Sequence, residues 1–158
     1  MSAKLPLDTL TELARSRSDD AARRLAGLLQ AQSSASQKLE LLLQYREDYS
    51  EQLRTRMLAG SMPLSQWRNY QDFLGTLDAG IEQQRAVAAQ AESRLDDGRS
   101  DWRHQRQRLN AYDTLGERIQ RQELATLARR EQRDTDERAA RKFFDRMSSV
   151  QRTAQDLP

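Results

Sequence analysis

The feature that most constrains this chain is an apolar repeat with alternating steps of three and four residues, interrupted once at residues 59–63. Such spacing puts an apolar residue on one narrow line of an α-helix at each turn, which is typical of a coiled-coil seam. The sequence therefore predicts an all-α fold, a long antiparallel two-helix coiled-coil hairpin. The predicted helix-pair seam comprises Leu25, Leu28, Leu39, Leu53, Trp67, Leu74, Ile81, Leu95, Trp102 and Leu109.

The interruption contains Gly60 and Pro63, which favour a turn. We predict helix one at about 7–58, a turn at about 59–63 and helix two at about 64–147, within a single hairpin over 1–147. Residues 148–158 are predicted to be a disordered tail. Folding at the turn places Leu28 opposite Leu95 and Ala21 opposite Trp102, so that small residues face large ones.

Helix two is expected to be longer than helix one, which predicts a C-terminal helical overhang beyond about residue 118. The overhang is strongly charged and has an apolar cluster at Phe143, Phe144 and Met147. A solitary polar helix gains most of its stability from a partner. We therefore expect the overhang to dock into another protein.

The composition agrees with a narrow seam, because only 37% of residues are hydrophobic, 32% are charged, and the mean hydropathy is -0.94. The chain has no cysteine, which excludes disulfides and thiolate metal sites. It has no apolar run long enough for a membrane span and no signal-peptide pattern at its N-terminus. The expected location is the cytoplasmic side of the membrane.

Catalytic groups are sparse. His104 is the only histidine and has no partners at triad or metal-ligand spacing. The glycines of the helical segments stand singly, so no phosphate-binding loop is present. We therefore expect no enzymatic activity, no cofactor, no metal site and no small-molecule substrate.

The arginines at 99, 103, 106 and 108 are the nearest approach to a nucleic-acid-binding face, but the net charge is only +2 and the charges are mixed. We expect no nucleic acid as a partner. A nucleic-acid-binding helical hairpin and a generic coiled-coil adaptor remain the two alternative functions.

Two aromatic residues, Tyr45 and Phe73, fall beside the seam rather than in it. With Leu42, Tyr49 and Leu77 they outline an apolar strip across both helices. Residues in these positions can cover the flank of a seam, or they can form a binding site for a partner protein. The pattern alone leaves both interpretations open.

Several blocks of the sequence form a distinctive set. The most specific block is Trp67-x-Asn-Tyr-Gln-x-Phe73 with Leu77, Ile81, Glu82 and Gln83. Others are Leu10-Thr-Glu-Leu-Ala14, Asp19-Asp-Ala-Ala22, Tyr45-x3-Tyr49, Trp102-Arg103 and Glu131-Gln-x3-Asp136-Glu137-x-Ala139. Together these blocks resemble the flagellar export protein family FliJ, and the resemblance covers about residues 7 to 142.

The resemblance implies a coiled coil similar to the central stalk of rotary ATPases, acting in flagellum biogenesis, type III protein export, motility and chemotaxis. It implies three partners: the hexamer of the export ATPase FliI, the transmembrane export gate protein FlhA, and export chaperones. It also implies a peripheral position at the cytoplasmic face of the inner membrane. The implied gate-binding residues are Leu42, Tyr45, Tyr49, Phe73 and Leu77.

Overall fold

The computed structural model describes residues 4–60 and 62–155, with side chains from residue 6 onward. It contains two α-helices, α1 (Lys4–Leu58) and α2 (Leu64–Gln155), and no strand within these described ranges. The prediction of an all-α helical hairpin is confirmed. Helix α2 continues through residues 148–155, where a disordered tail was predicted, because no glycine or proline interrupts it there. Residues 156–158 of that tail lie outside the described residues.

The turn between the helices depends on Gly60, whose φ of 93° is a backbone conformation that L side chains rarely adopt. The amide of Ala59 donates to the carbonyl of Thr55 at 3.1 Å, which closes the last turn of α1. On the other side, the carbonyl of Pro63 accepts a hydrogen bond from the amide of Trp67 at 3.1 Å and begins α2. Ser61, also part of the predicted turn, lies outside the described residues.

The chain divides into two units, Met1–Leu109 and Asn110–Pro158. In the first unit α1 and the first part of α2 run antiparallel, as three contacts between the helices show. Arg24 pairs with Asp101 at 3.5 Å, Arg46 pairs with Asp78, and the ring of Tyr49 packs on Phe73. Each of these pairs lies within two residues of the partner that the expected register assigns.

Burial in the first unit follows the repeat of three and four residues. The side chains that are almost fully covered are mostly small on α1, which lets α2 approach closely. They are Leu7, Ala14, Ser18, Ala21, Ala35 and Leu53 on α1, and Ile81, Leu95 and Leu109 on α2.

Gln84 and Gly98 of α2 allow the two helices to pack this closely along the seam. The side-chain amide of Gln84 donates to the carbonyl of Ala35 at 3.1 Å, a hydrogen bond from one helix to the backbone of the other. A Cβ atom at Gly98 would lie 2.5 Å from Cδ1 of Leu28. Gly98 therefore provides the space that Leu28 occupies.

The second unit is the continuation of α2 from residue 110, and all its side chains from 120 to 155 are exposed. Ion pairs one turn apart run along its surface, including Arg121 with Glu117 at 3.7 Å and Arg141 with Glu137 at 2.7 Å. Such pairs each support an exposed helix by only about 0.3–0.5 kcal/mol. Across the described residues, neither helix has a stretch apolar and long enough to cross a membrane.

Candidate functional site

The five residues Leu42, Tyr45, Tyr49, Phe73 and Leu77, here called the aromatic patch, lie on the first unit. Tyr45 is 53% exposed and Phe73 is 42% exposed, while the other three are half-buried. Large aromatic side chains with this much exposure are common in surfaces that bind other proteins. The half-buried members fix the patch to the seam of the two helices.

Tyr49 is the centre of the patch. Its ring centroid lies 4.3 Å from that of Phe73, with an angle of 37° between the rings, and 5.5 Å from that of Tyr70, with an angle of 52°. These tilted pairs join Tyr49 of α1 to two rings of α2. Tyr45, in contrast, has no ring contact within the described ranges and is free to meet a partner. The structure therefore places Phe73 against Tyr49.

The sequence prediction of the patch did not include Tyr70 and Arg56. The guanidinium carbon of Arg56 lies 5.5 Å from the ring centroid of Tyr70, within range of a cation–π interaction. Tyr70 could have been identified from the sequence, because it lies at seam spacing between Trp67 and Leu74. Nothing in the sequence pattern singled out the arginine.

Tyr49 of the patch also lines a shallow pocket of about 190 Å³, together with Arg56, Gln66, Asn69 and Tyr70. Its walls combine aromatic faces with amide groups and one guanidinium. No group of histidine, cysteine, aspartate or glutamate that could hold a metal ion occurs in the part of the chain that the structure describes. The surface offers aromatic contact and hydrogen bonding, which suit a protein partner.

An ion pair between the helices borders the patch. The Nε–H of Arg46 donates to a carboxylate oxygen of Asp78, and both side chains are about half exposed. This hydrogen bond, and next the negative charge of Asp78, raise the pKa of the Arg46 guanidinium above its ordinary value. Arg46 lies seven residues from each of the seam residues Leu39 and Leu53, so its methylene stem can cover apolar surface while its charged end reaches water. The pair joins α1 to α2 at the edge of the patch.

The predicted seam residues differ in their exposure. Leu53, Ile81, Leu95 and Leu109 are buried, whereas Leu25, Leu28, Leu39, Leu74 and Trp102 are half-buried. Trp67, which was expected to lie in the seam, is 38% exposed. The expected register places it opposite Arg56, a charged residue near the end of α1.

Two of the four arginines considered for nucleic-acid binding, Arg99 and Arg103, form contacts within their own helix. Arg99 pairs with Asp96 at 3.5 Å, and the Nε–H of Arg103 donates to the carbonyl of Arg99. The carboxylate of Asp96 reduces the positive charge of this face. His104, also on α2, is exposed.

Comparison with known proteins gives a consistent result along nearly the whole chain. A family profile described as "Flagellar FliJ protein" matches residues 3–148. A "Flagellar FliJ protein" of Salmonella typhi is 36% identical over 135 residues, which is 85% of this chain and 91% of the relative. A protein of the same description from Escherichia coli (strain K12) has the same identity and coverage. The similarity therefore includes both helices and the aromatic patch between them.

Proposed function

Because the chain belongs to the flagellar FliJ protein family, we propose that it acts in flagellar protein export as a non-enzymatic stalk. It links the export ATPase FliI to the transmembrane export gate protein FlhA, at the cytoplasmic face of the inner membrane. In this function it performs no chemistry. It transmits the effect of ATP hydrolysis to the gate through two binding surfaces, and it also meets export chaperones.

The observation that carries the proposal is the exposure of two aromatic rings, Tyr45 and Phe73, next to the half-buried Tyr49 on the helix pair. A partner that covered these rings would remove aromatic surface from water without having to order a flexible loop. Such rigid aromatic residues commonly dominate the energy of protein interfaces. We assign FlhA to this surface.

The second proposed contact, with the FliI hexamer, uses the second unit. Here Leu124 is 60% exposed and Leu127 is 52% exposed, three residues apart on one side of α2. An isolated helix with this much charge gains stability when a partner covers its apolar residues. This supports a docking role for the part of α2 that follows Asn110.

Tyr45→Ala is the sharpest test of the gate surface, since Tyr45 supports no ring contact and its loss should leave the helix pair unchanged. If the ring is central to the interface, its removal should cost at least about 2 kcal/mol of binding, or roughly thirtyfold in affinity. The measurement is titration of the purified chain with the cytoplasmic domain of FlhA, followed by swimming assays in cells.

The matched control is Leu13→Ala combined with Leu29→Ala, which removes two leucines that are 46% and 44% exposed elsewhere on α1. The control should keep FlhA affinity and motility. Binding to FliI should be equal in both variants. Unchanged FlhA affinity in Tyr45→Ala would show that the gate binds elsewhere, and loss of FliI binding in the same variant would show a general defect.

A further inference from the structure

The last part of α2, residues 138–155, is amphipathic. On an ideal helix, its apolar side chains fall within an arc of about 140°. The large ones are Phe143, Phe144, Met147 and Val150, and three alanines lie between or beside them. This arc is wider than the two-position line of a coiled-coil seam. We call it the phenylalanine face.

The phenylalanine face is open to solvent within the described part of the chain. Phe143, Phe144, Met147 and Val150 are 61%, 66%, 51% and 68% exposed. The two phenylalanine rings touch edge to face, with their centroids 6.1 Å apart. Four large apolar side chains exposed together on one face are unusual for a helix that has no partner.

The opposite face of this segment is strongly basic. It carries Arg138, Arg141, Lys142, Arg146 and Arg152 against one carboxylate, that of Asp145. The segment therefore has a net charge of +4, whereas the complete chain has only +2. Of these cations, Arg141 is paired with Glu137. The occupant of the phenylalanine face must therefore be both apolar and anionic.

We propose that residues 138–155 bind the surface of a membrane that contains anionic phospholipids. A helix with aromatic and aliphatic residues on one side and lysine or arginine on the other lies in the interface, with its apolar side in the acyl boundary and its cations near the phosphates. The face is too wide for a single partner helix, and it has no acidic residue in its arc. The proposal rests on side chains other than Leu124 and Leu127, the two exposed leucines on which the proposed FliI contact rests.

Hydroxyl groups at the margin of the face do not oppose its insertion. The Oγ of Ser148 donates to the carbonyl of Phe144 at 2.9 Å, and the Oγ1 of Thr153 donates to the carbonyl of Ser149 at 2.7 Å. Each hydroxyl therefore keeps a hydrogen bond when water leaves, which reduces the cost of moving it toward lipid.

The test is co-sedimentation of the full chain with vesicles of phosphatidylcholine alone or with about a third phosphatidylglycerol, at low and high salt. We expect binding to the anionic vesicles only, with a decrease at high salt as the cations are screened. Phe143→Ser combined with Phe144→Ser should reduce the partition coefficient at least about tenfold. Lys142→Glu combined with Arg146→Glu should abolish binding. Circular dichroism establishes that each variant remains helical.

The matched control is Leu124→Ser combined with Leu127→Ser, which removes two exposed leucines of the same unit outside the phenylalanine face. This control should bind anionic vesicles like the wild type but should lose FliI, so the two proposals can fail separately. Equal vesicle binding by all three variants, or no binding by the wild type, would overturn the lipid proposal. If the wild type did not bind vesicles, the phenylalanine face would have to be assigned to an acidic groove of a protein.

Discussion

Gly98→Ala is the substitution whose effect the structure determines most directly. In an exposed part of a helix, replacing glycine with alanine raises the free energy of unfolding by about 0.5–1 kcal/mol, because alanine loses less backbone entropy on folding. Gly75 represents this ordinary case, since a Cβ atom added there meets nothing within 4 Å. At Gly98 the added Cβ would lie 2.5 Å from Cδ1 of Leu28 and 3.8 Å from Cδ1 of Leu25.

The magnitude follows from this distance. Carbon atoms pack favourably at about 3.5–4.0 Å, so Cδ1 of Leu28 must retreat by about 1 Å or the helices must separate. Overpacking of this kind costs typically about 1–3 kcal/mol. Leu28 is half-buried and its terminal methyl can rotate, which favours the lower part of that range. We expect Gly98→Ala to be about 1–2 kcal/mol less stable than Gly75→Ala, although both gain the same helix propensity.

The assay is urea unfolding followed by circular dichroism, with Leu28→Ala and the double variant Leu28→Ala/Gly98→Ala completing a double-mutant cycle. Leu28→Ala alone should cost about 2 kcal/mol through its lost burial. In the double variant the clash is absent, so alanine at 98 should become stabilising, with a coupling of about 1–2 kcal/mol. If Gly98→Ala is as stabilising as Gly75→Ala and the cycle shows no coupling, then Leu28 does not pack on Gly98 and the antiparallel register is wrong.

Three further substitutions test other parts of the first unit by the same unfolding assay. Gly60→Ala should lower the free energy of unfolding by about 1–2 kcal/mol, because its φ of 93° is strained for alanine; an unchanged value would refute this role. Gln84→Ala should lower the free energy of unfolding by about 1 kcal/mol through the lost hydrogen bond to Ala35. An unchanged value would show that this hydrogen bond does not stabilise the helix pair. Arg46→Met should leave the urea midpoint nearly unchanged, because its pair with Asp78 is exposed to solvent, and a clear decrease would show that the ion pair is essential.

The heptad repeat predicted the two helices, because a narrow seam leaves few ways to bury its apolar side chains. Burial agrees with such a seam, since Ala21 is 1% exposed and Trp102 is half-buried. Which residue of one helix faces which residue of the other stays a prediction, and the three pairs between the helices lie within two residues of it. The exposure of individual seam residues was predicted less well. Trp67 has seam spacing but is 38% exposed, since spacing does not reveal which neighbouring side chains cover a residue. Residues 148–155 were predicted to be part of a disordered tail, whereas the structure has them in α2.

The aromatic patch could be predicted only in part, for a related reason. Periodicity indicates which residues lie on one side of a helix, but not which ring of the opposite helix each will meet. Both Tyr45 and Phe73 were identified as off-seam aromatics, whereas the ring pair of Tyr49 with Phe73 depends on how far along the helices the two side chains lie. The contact between Arg56 and Tyr70 depends in addition on the rotamer of a long side chain.

The unequal environments of the two exposed rings separate stability from recognition within the patch. Phe73 packs on Tyr49 at 4.3 Å, so Phe73→Ala should lose about 0.5–1.5 kcal/mol of aromatic pairing in the free protein as well as contacts with a partner. Tyr45 has no such pair among the described residues, and its removal should affect only the complex. If Tyr45 and Phe73 were both replaced by alanine and binding were lost, the result would not show whether the helix pair was damaged or a contact with the partner was removed. Only the single change at Tyr45 isolates recognition, which is why affinity and unfolding must be measured on both single variants.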